Sequence, residues 1–186
     1  MYLSVRGRAM GVAPEAFFER LMAAYSVYYD VRREGTSPPF DAAARFSTRE
    51  SRYFFTRSMT LSEEASHEIV YFALRPRLER ATLDELDALA WERGLAEAKP
   101  GPDHKNTDVT LFVVAEAVAD GLKKRVGSYT HSKLYRFGLW GFSNYRLAVV
   151  ETSTGGAFFN RHGRVLKKLV KDLLQGAESS ADATDW

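Results

Sequence analysis

Three acidic residues flank predicted strands and could together bind a divalent cation. Carboxylates of Asp108, Glu116 and Glu151 on neighbouring strands could hold Mg²⁺ for hydrolysis of a phosphodiester, with a lysine beside them. Such nucleases place Glu-x-Lys on one strand, but Glu151 is followed by Thr-Ser-Thr. Asp120 stands three positions before Lys123 on a segment predicted to be helical. A metal-dependent hydrolase using the three carboxylates is therefore kept as an alternative hypothesis.

The remaining reactive residue types follow no catalytic pattern. The chain has no cysteine, no glycine-rich phosphate loop and no serine on a nucleophile elbow. Gly138 and Gly141 have the spacing of a nucleic-acid-binding Gly-x-x-Gly loop, but we interpret them as bends of a hairpin. We assign no catalytic residue, expect no cofactor and no metal, and favour a protein that is not an enzyme. The histidines are too far apart for ligand spacing, and they are His67, His104, His131 and His162.

Positive charge is concentrated in one part of the chain. Residues 121–171, here named the basic segment, contain eleven Lys or Arg and one acid, a formal charge of +10. Residues 1–120 and 172–186 each carry −4, so the chain totals +2. This asymmetry predicts binding of a polyanion, with nucleic acid favoured over a membrane surface or an acidic protein. The candidate residues are Lys123, Lys124, Arg125, Arg136, Trp140, Arg146, Arg161, Arg164, Lys167, Lys168 and Lys171.

The stretch KLYRFGLWGFSNYRLAVVET, residues 133–152, predicts a β-hairpin. If both arms alternate as strands, Tyr135, Phe137 and Leu139 face the core. Arg136, Trp140 and Arg146 then share the opposite parity. There the arginines could bind phosphates and the indole could stack on a base. A third hypothesis is a protein-interaction module or homodimer built on exposed aromatic residues, which a large apolar patch would favour.

The elements that must position these residues predict a single α+β domain over residues 1–175 with a mainly antiparallel sheet. An aromatic helix over 13–31 is followed by a loop and by a hairpin with strands at 51–59 and 67–74. The next helix begins at a capping box, Thr82 and Glu85, and ends near Gly94. A buried strand, a short helix, three strands and a basic amphipathic helix complete the order α-ββ-α-β-α-βββ-α. Gly176 is the predicted end of that helix, and residues 176–186 form a flexible acidic tail.

Apolar runs bear on the cellular location. The longest, residues 111–119, is interrupted by Glu116 and is too short to span a bilayer. The N-terminus lacks the apolar stretch of a signal peptide. We therefore expect a cytoplasmic protein without a membrane span. The sequence does not define its oligomeric state.

Residues 137–151, FGLWGFSNYRLAVVE, resemble a family of uncharacterised bacterial and archaeal domains. Members share a Phe-Gly-Leu-x-Gly turn followed by Arg-Leu and a strand that ends in an acid. The later NRHGR resembles the turn before a basic C-terminal helix in the same family. The resemblance covers about residues 50–170 and implies no activity. The matching residues are Phe137, Gly138, Leu139, Gly141, Arg146, Leu147 and Glu151.

Overall fold

A seven-stranded mixed sheet organises the chain in the computed structural model, which describes residues 11–47, 65–102 and 104–181. Its strand order is β1-β2-β3-β4-β6-β5, and β7 also pairs with β6. Strands β5 and β7 follow one another along the same outer edge of β6. The strands are β1 (Asp30–Arg32), β2 (Ala42–Ser47), β3 (Ala65–Leu78), β4 (His104–Val118), β5 (Ser132–Leu134), β6 (Phe142–Glu151) and β7 (Gly156–Phe159).

The three longest strands, β3, β4 and β6, form a parallel centre. Antiparallel pairs flank this centre, with β1 and β2 on one side and β5 and β7 on the other. The α+β class and the predominance of antiparallel pairs are confirmed. The apolar run at the middle of β4 is buried because it lies inside the sheet with helices on both faces.

The helices divide the core into two layers. Helices α1 (Pro14–Ser26) and α4 (Lys167–Ala181) cover one face, where Phe17, Leu21 and Val170 pack on Phe112 and other even-numbered residues of β4. Helix α2 (Arg80–Glu97) covers the other face, against odd-numbered residues such as Leu111. Helix α3 (Asp120–Lys123) is a single turn after β4. In the part of the chain that the structure describes, no helix is long and apolar enough to cross a membrane.

Several predicted boundaries in the first half are wrong. Helix α1 ends at Ser26, not at residue 31, and β1 follows at Asp30. Strand β2 was not predicted, and its first two residues fall in the predicted loop. Its run of alanines has little β-propensity, and the strand forms through pairing with β1 and β3. The strand predicted at 51–59 lies outside the described residues, whereas the one predicted at 67–74 lies within β3.

The two glycines interpreted as helix ends do not end helices. Helix α2 begins at Arg80 without a side-chain cap, so the predicted capping box of Thr82 and Glu85 is wrong, and it continues past Gly94 to Glu97. A Cβ on Gly94 would lie 2.5 Å from Val109, so the glycine permits close packing of α2 on β4. Helix α4 likewise passes through Gly176 and reaches Ala181.

A buried asparagine fixes the edge of β6. The side chain of Asn160 accepts hydrogen bonds from the backbone amides of Leu147 (3.0 Å) and Gly163 (2.7 Å). Its amide group donates to the carbonyls of Tyr129 (2.9 Å) and Tyr145 (3.0 Å). Asn160 thereby ties the chain after β7 to β6 and to the segment that leads into β5.

Candidate functional site

The three carboxylates of the hydrolase hypothesis do not meet. Asp108 is in register with Asn144 and Glu151 with Ala115, so seven residues, about 23 Å of strand, separate Asp108 from Glu151. Glu116 has the parity of Phe112, on the α1 face, whereas Glu151 has the parity of Leu147, on the α2 face. Among the described residues, no group of three or more His, Asp or Glu could hold a metal ion.

Glu151 has a structural environment. Its carboxylate is buried and accepts hydrogen bonds from the backbone amide of Val118 (2.8 Å), from Lys123 Nζ (2.8 Å) and from Thr154 Oγ1 (2.6 Å). Burial opposes ionisation, but these donors hold the pKa of Glu151 below its ordinary value. The carboxylate therefore joins the ends of β4, α3 and β6, and Lys123 serves as its counterion.

Arg146 lies in a half-buried polar cluster on the α1 face, named here the Arg146 cluster. Its guanidinium contacts Asp108 Oδ2 at 2.6 Å and Glu68 Oε1 at 3.1 Å. Thr110 Oγ1 (2.8 Å) and the Tyr29 hydroxyl (2.7 Å) donate to the carboxylate of Glu68. The members are Tyr29, Glu68, Asp108, Thr110 and Arg146.

The charges of the Arg146 cluster pair with one another. Burial raises the pKa of Asp108, and the neighbouring Glu68 adds to this effect while Arg146 opposes it. Burial and the charge of Glu68 also raise the pKa of the Tyr29 hydroxyl. Both carboxylates engage the guanidinium, so Arg146 is already paired within the protein, and its predicted contact with a phosphate stays a prediction.

The tip of the β5–β6 hairpin differs from its prediction. Residues 133–142 are named here the hairpin tip. They comprise the end of β5, a turn that leaves the sheet after Leu134, and Phe142, where the chain rejoins the sheet. Arg136 (φ 44°) and Phe137 (φ 56°) have left-handed backbone conformations, so strand alternation stops there. The inward orientation predicted for Phe137 and Leu139 is wrong, since Phe137 is 103% exposed and Leu139 78%. Leu134 is also exposed.

Backbone contacts fix the conformation of the hairpin tip. Tyr135 donates its amide to Gly141 O (3.0 Å), and its carbonyl accepts from Gly138 and Trp140. Nδ1 of His104 donates to Trp140 O at 2.8 Å. At Gly141 (φ 78°) a Cβ would lie 2.2 Å from Lys105 O, so only glycine allows this approach to β4. The exposed apolar side chains are therefore held on an ordered loop.

The cations of the basic segment lie in separate places. Lys123, Lys124 and Arg125 follow β4 at the end of β6 that carries Glu151, and Lys123 is paired with Glu151. Arg136 is at the opposite end of β6, about 30 Å away along its ten residues. Its guanidinium lies 4.1 Å from the centre of the half-buried ring of Trp140.

Five further cations of the basic segment form one strip. A 3-10 turn over His162–Leu166 leads directly into α4, and three residues per turn place Arg161, Arg164 and Lys167 on one side. Lys168 and Lys171 continue that side at helical spacing. Arg161, Arg164, Lys167, Lys168 and Lys171, named here the basic strip, are all exposed.

Sequence reasoning missed the Arg146 cluster, although a signal was present. Glu68, Asp108 and Arg146 each stand near the start of one of the three longest apolar strand runs. In register, Glu68 pairs with Asp108, and Thr110 pairs with Arg146. Charged residues at matching positions of buried strands must pair with one another, because isolated charges are not buried. The strand order needed to recognise this was not available from the sequence.

Comparison with known proteins places most of the chain in one family. A family model described as a domain of unknown function (DUF8052) matches residues 13–172. The match includes α1, which the resemblance at residues 50–170 did not cover. Searches of the curated proteins and of the solved structures found no match. The chain therefore belongs to the DUF8052 family of domains of unknown function.

Proposed function

We propose that this domain binds a polyanion, with nucleic acid as the expected class, through the basic strip. The observation that supports this function is a row of five exposed cations, four of which have no acidic partner among the described residues. Within the described residues, Arg161, Arg164, Lys167 and Lys171 pair with no acidic side chain. Lys168 pairs only with the exposed Asp172, at 2.7 Å. Exposed pairs of this kind are weak and yield to a phosphate partner.

The dimensions of the basic strip suit a phosphate backbone. From Arg161 to Lys171 the chain rises about 18 Å along the 3-10 turn and the first turns of α4. A nucleic-acid strand has one phosphate per about 3.4 Å of helix rise, so the strip spans several successive phosphates. Lysine and arginine contacts to phosphates carry no sequence information. Binding is therefore weak, sequence-tolerant and strongly dependent on salt.

The experiment compares two variants that lose the same charge. Lys167→Ala/Lys171→Ala removes two cations of the basic strip, whereas Lys124→Ala/Arg125→Ala removes two exposed cations beyond α3. Fluorescence anisotropy with a labelled duplex of mixed sequence at low salt measures both. We expect the strip variant to bind about tenfold or more weakly and the control to bind close to wild type. Equal losses in the two variants would show that overall charge, and not the strip, produces the binding.

A further inference from the structure

We infer that the hairpin tip is a second binding site, which inserts its apolar side chains into the surface of an anionic lipid bilayer. The inference does not rest on the proposed function, because it uses residues outside the basic strip. Within ten residues the tip presents three large apolar side chains that are mostly or fully exposed, Leu134, Phe137 and Leu139. Large apolar groups clustered on a surface mark an interaction site.

The charges around the hairpin tip indicate which lipid headgroups it would bind. Lys133 and Arg136 lie within it, and residues 121–150 contain no acid. Trp140 and Tyr135, which have polar atoms on apolar rings, stand beside the exposed apolar residues. This combination of Phe and Leu with Trp, Tyr, Lys and Arg is typical of segments that lie at the boundary of acyl chains and headgroups. The two cations select anionic over neutral lipid.

The shape of the hairpin tip favours a bilayer over a protein partner. At about 200 Å² for a large side chain, Leu134, Phe137 and Leu139 together offer roughly 500 Å² at their observed exposures. A stable protein interface buries about 800 Å² on each partner. A bilayer closes around a projecting loop and needs no matching surface. Nucleic acid is less suited, because leucine side chains do not stack on bases.

The backbone supports a loop that is ready to insert. Arg136 and Phe137 are held in the left-handed region, a conformation that non-glycine residues adopt rarely and that recurs at binding sites. The hydrogen bonds of Tyr135 and the contact of Trp140 with His104 pair several backbone groups of the tip from within the protein. Polar backbone groups that are already paired can approach the acyl region at lower cost.

The test is co-sedimentation of the full chain with vesicles of phosphatidylcholine containing phosphatidylglycerol, and with phosphatidylcholine vesicles alone. We expect binding to the anionic vesicles at 150 mM salt. The partition coefficient should fall at least about tenfold in Phe137→Ser/Leu139→Ser. The matched control, Val27→Ser/Val165→Ser, removes two exposed apolar side chains elsewhere and should bind like wild type. Lys133→Gln/Arg136→Gln should lose the preference for anionic vesicles.

Each other outcome overturns the inference. Wild type that binds neither vesicle refutes it directly. Vesicle binding could survive Phe137→Ser/Leu139→Ser and be lost in Lys167→Ala/Lys171→Ala. That result would show electrostatic attraction of the vesicles to the basic strip. A concentration-dependent dimer that only Phe137→Ser/Leu139→Ser dissociates would assign the tip to a second copy of the chain. Loss of nucleic-acid binding in that variant, with vesicle binding intact, would assign the tip to nucleic acid. Thermal unfolding of each variant confirms that the fold is retained.

Discussion

Replacing Arg146 tests whether this arginine is structural or ligand-binding. In Arg146→Met, the carboxylates of Glu68 and Asp108 stay in place, only 14% and 11% exposed, without their counterion. Removing one partner of a buried ion pair costs about 3–5 kcal/mol. With a urea m-value of about 2 kcal/mol/M, the midpoint of unfolding should fall by roughly 1.5–2.5 M. Nucleic-acid binding of the folded variant should remain close to wild type.

Two further measurements identify the cause of this destabilisation. Arg146→Met/Asp108→Asn removes one of the unpaired charges and should recover part of the lost stability, a coupling that a double-mutant cycle detects. Burial already raises the pKa of Asp108 in the wild type, so ionised Asp108 opposes folding as pH rises through that raised value. Without Arg146 this pKa should rise further, so the loss in Arg146→Met should become smaller as pH is lowered from neutrality toward the ordinary pKa of an aspartate. A variant as stable as wild type that no longer binds nucleic acid would refute the structural role.

Three other changes test the contacts that position the two surfaces. Asn160→Ala removes the hydrogen-bond partner of four backbone groups, three of them buried, and should lower the free energy of unfolding by about 3–5 kcal/mol, which urea unfolding measures. Gly141→Ala must move the β4 backbone and should unfold at a much lower temperature than Gly138→Ala, where φ is 90° but space is open; equal melting temperatures would contradict the close approach. The pKa of Glu151 is lowered on folding, so its contribution to stability is present above its ordinary pKa and is lost as pH falls through the lowered value. Acid unfolding of Glu151→Gln should lack that component.

The fold was predictable where local patterns and packing agree. The apolar run of β4, the amphipathic pattern of α4 and the aromatic face of α1 each matched their burial, because one periodicity fixes both the element and its buried side. Prediction failed where tertiary contact decides the structure. Strand β2 forms from alanines because β3 lies beside it, and Gly94 stays inside a helix because Val109 needs the space.

The candidate site was predictable only in part. The basic strip follows from helical spacing, since its five cations lie on one continuous segment of chain. Assigning Arg146 to the same surface assumed that strand parity decides exposure. On a sheet face that is covered by helices, the neighbouring strands determine the partners of a side chain. For Arg146 these partners are Glu68 and Asp108. The prediction for the hairpin tip was wrong because it extended strand alternation through Arg136 and Phe137, which have left-handed conformations. The contacts of Trp140 and Gly141 with β4 could not be predicted from the sequence.

The salt dependence of nucleic-acid binding tests the central claim most directly. Each phosphate neutralised by a cation of the basic strip releases counterions, so the logarithm of the binding constant should fall linearly with the logarithm of salt concentration. Five cations allow a slope of at most about −4.5 for duplex DNA, and Lys167→Ala/Lys168→Ala/Lys171→Ala should reduce its magnitude by about 2.7 at most. A slope near zero, no binding at low salt, or a slope that this triple variant leaves unchanged would contradict the account.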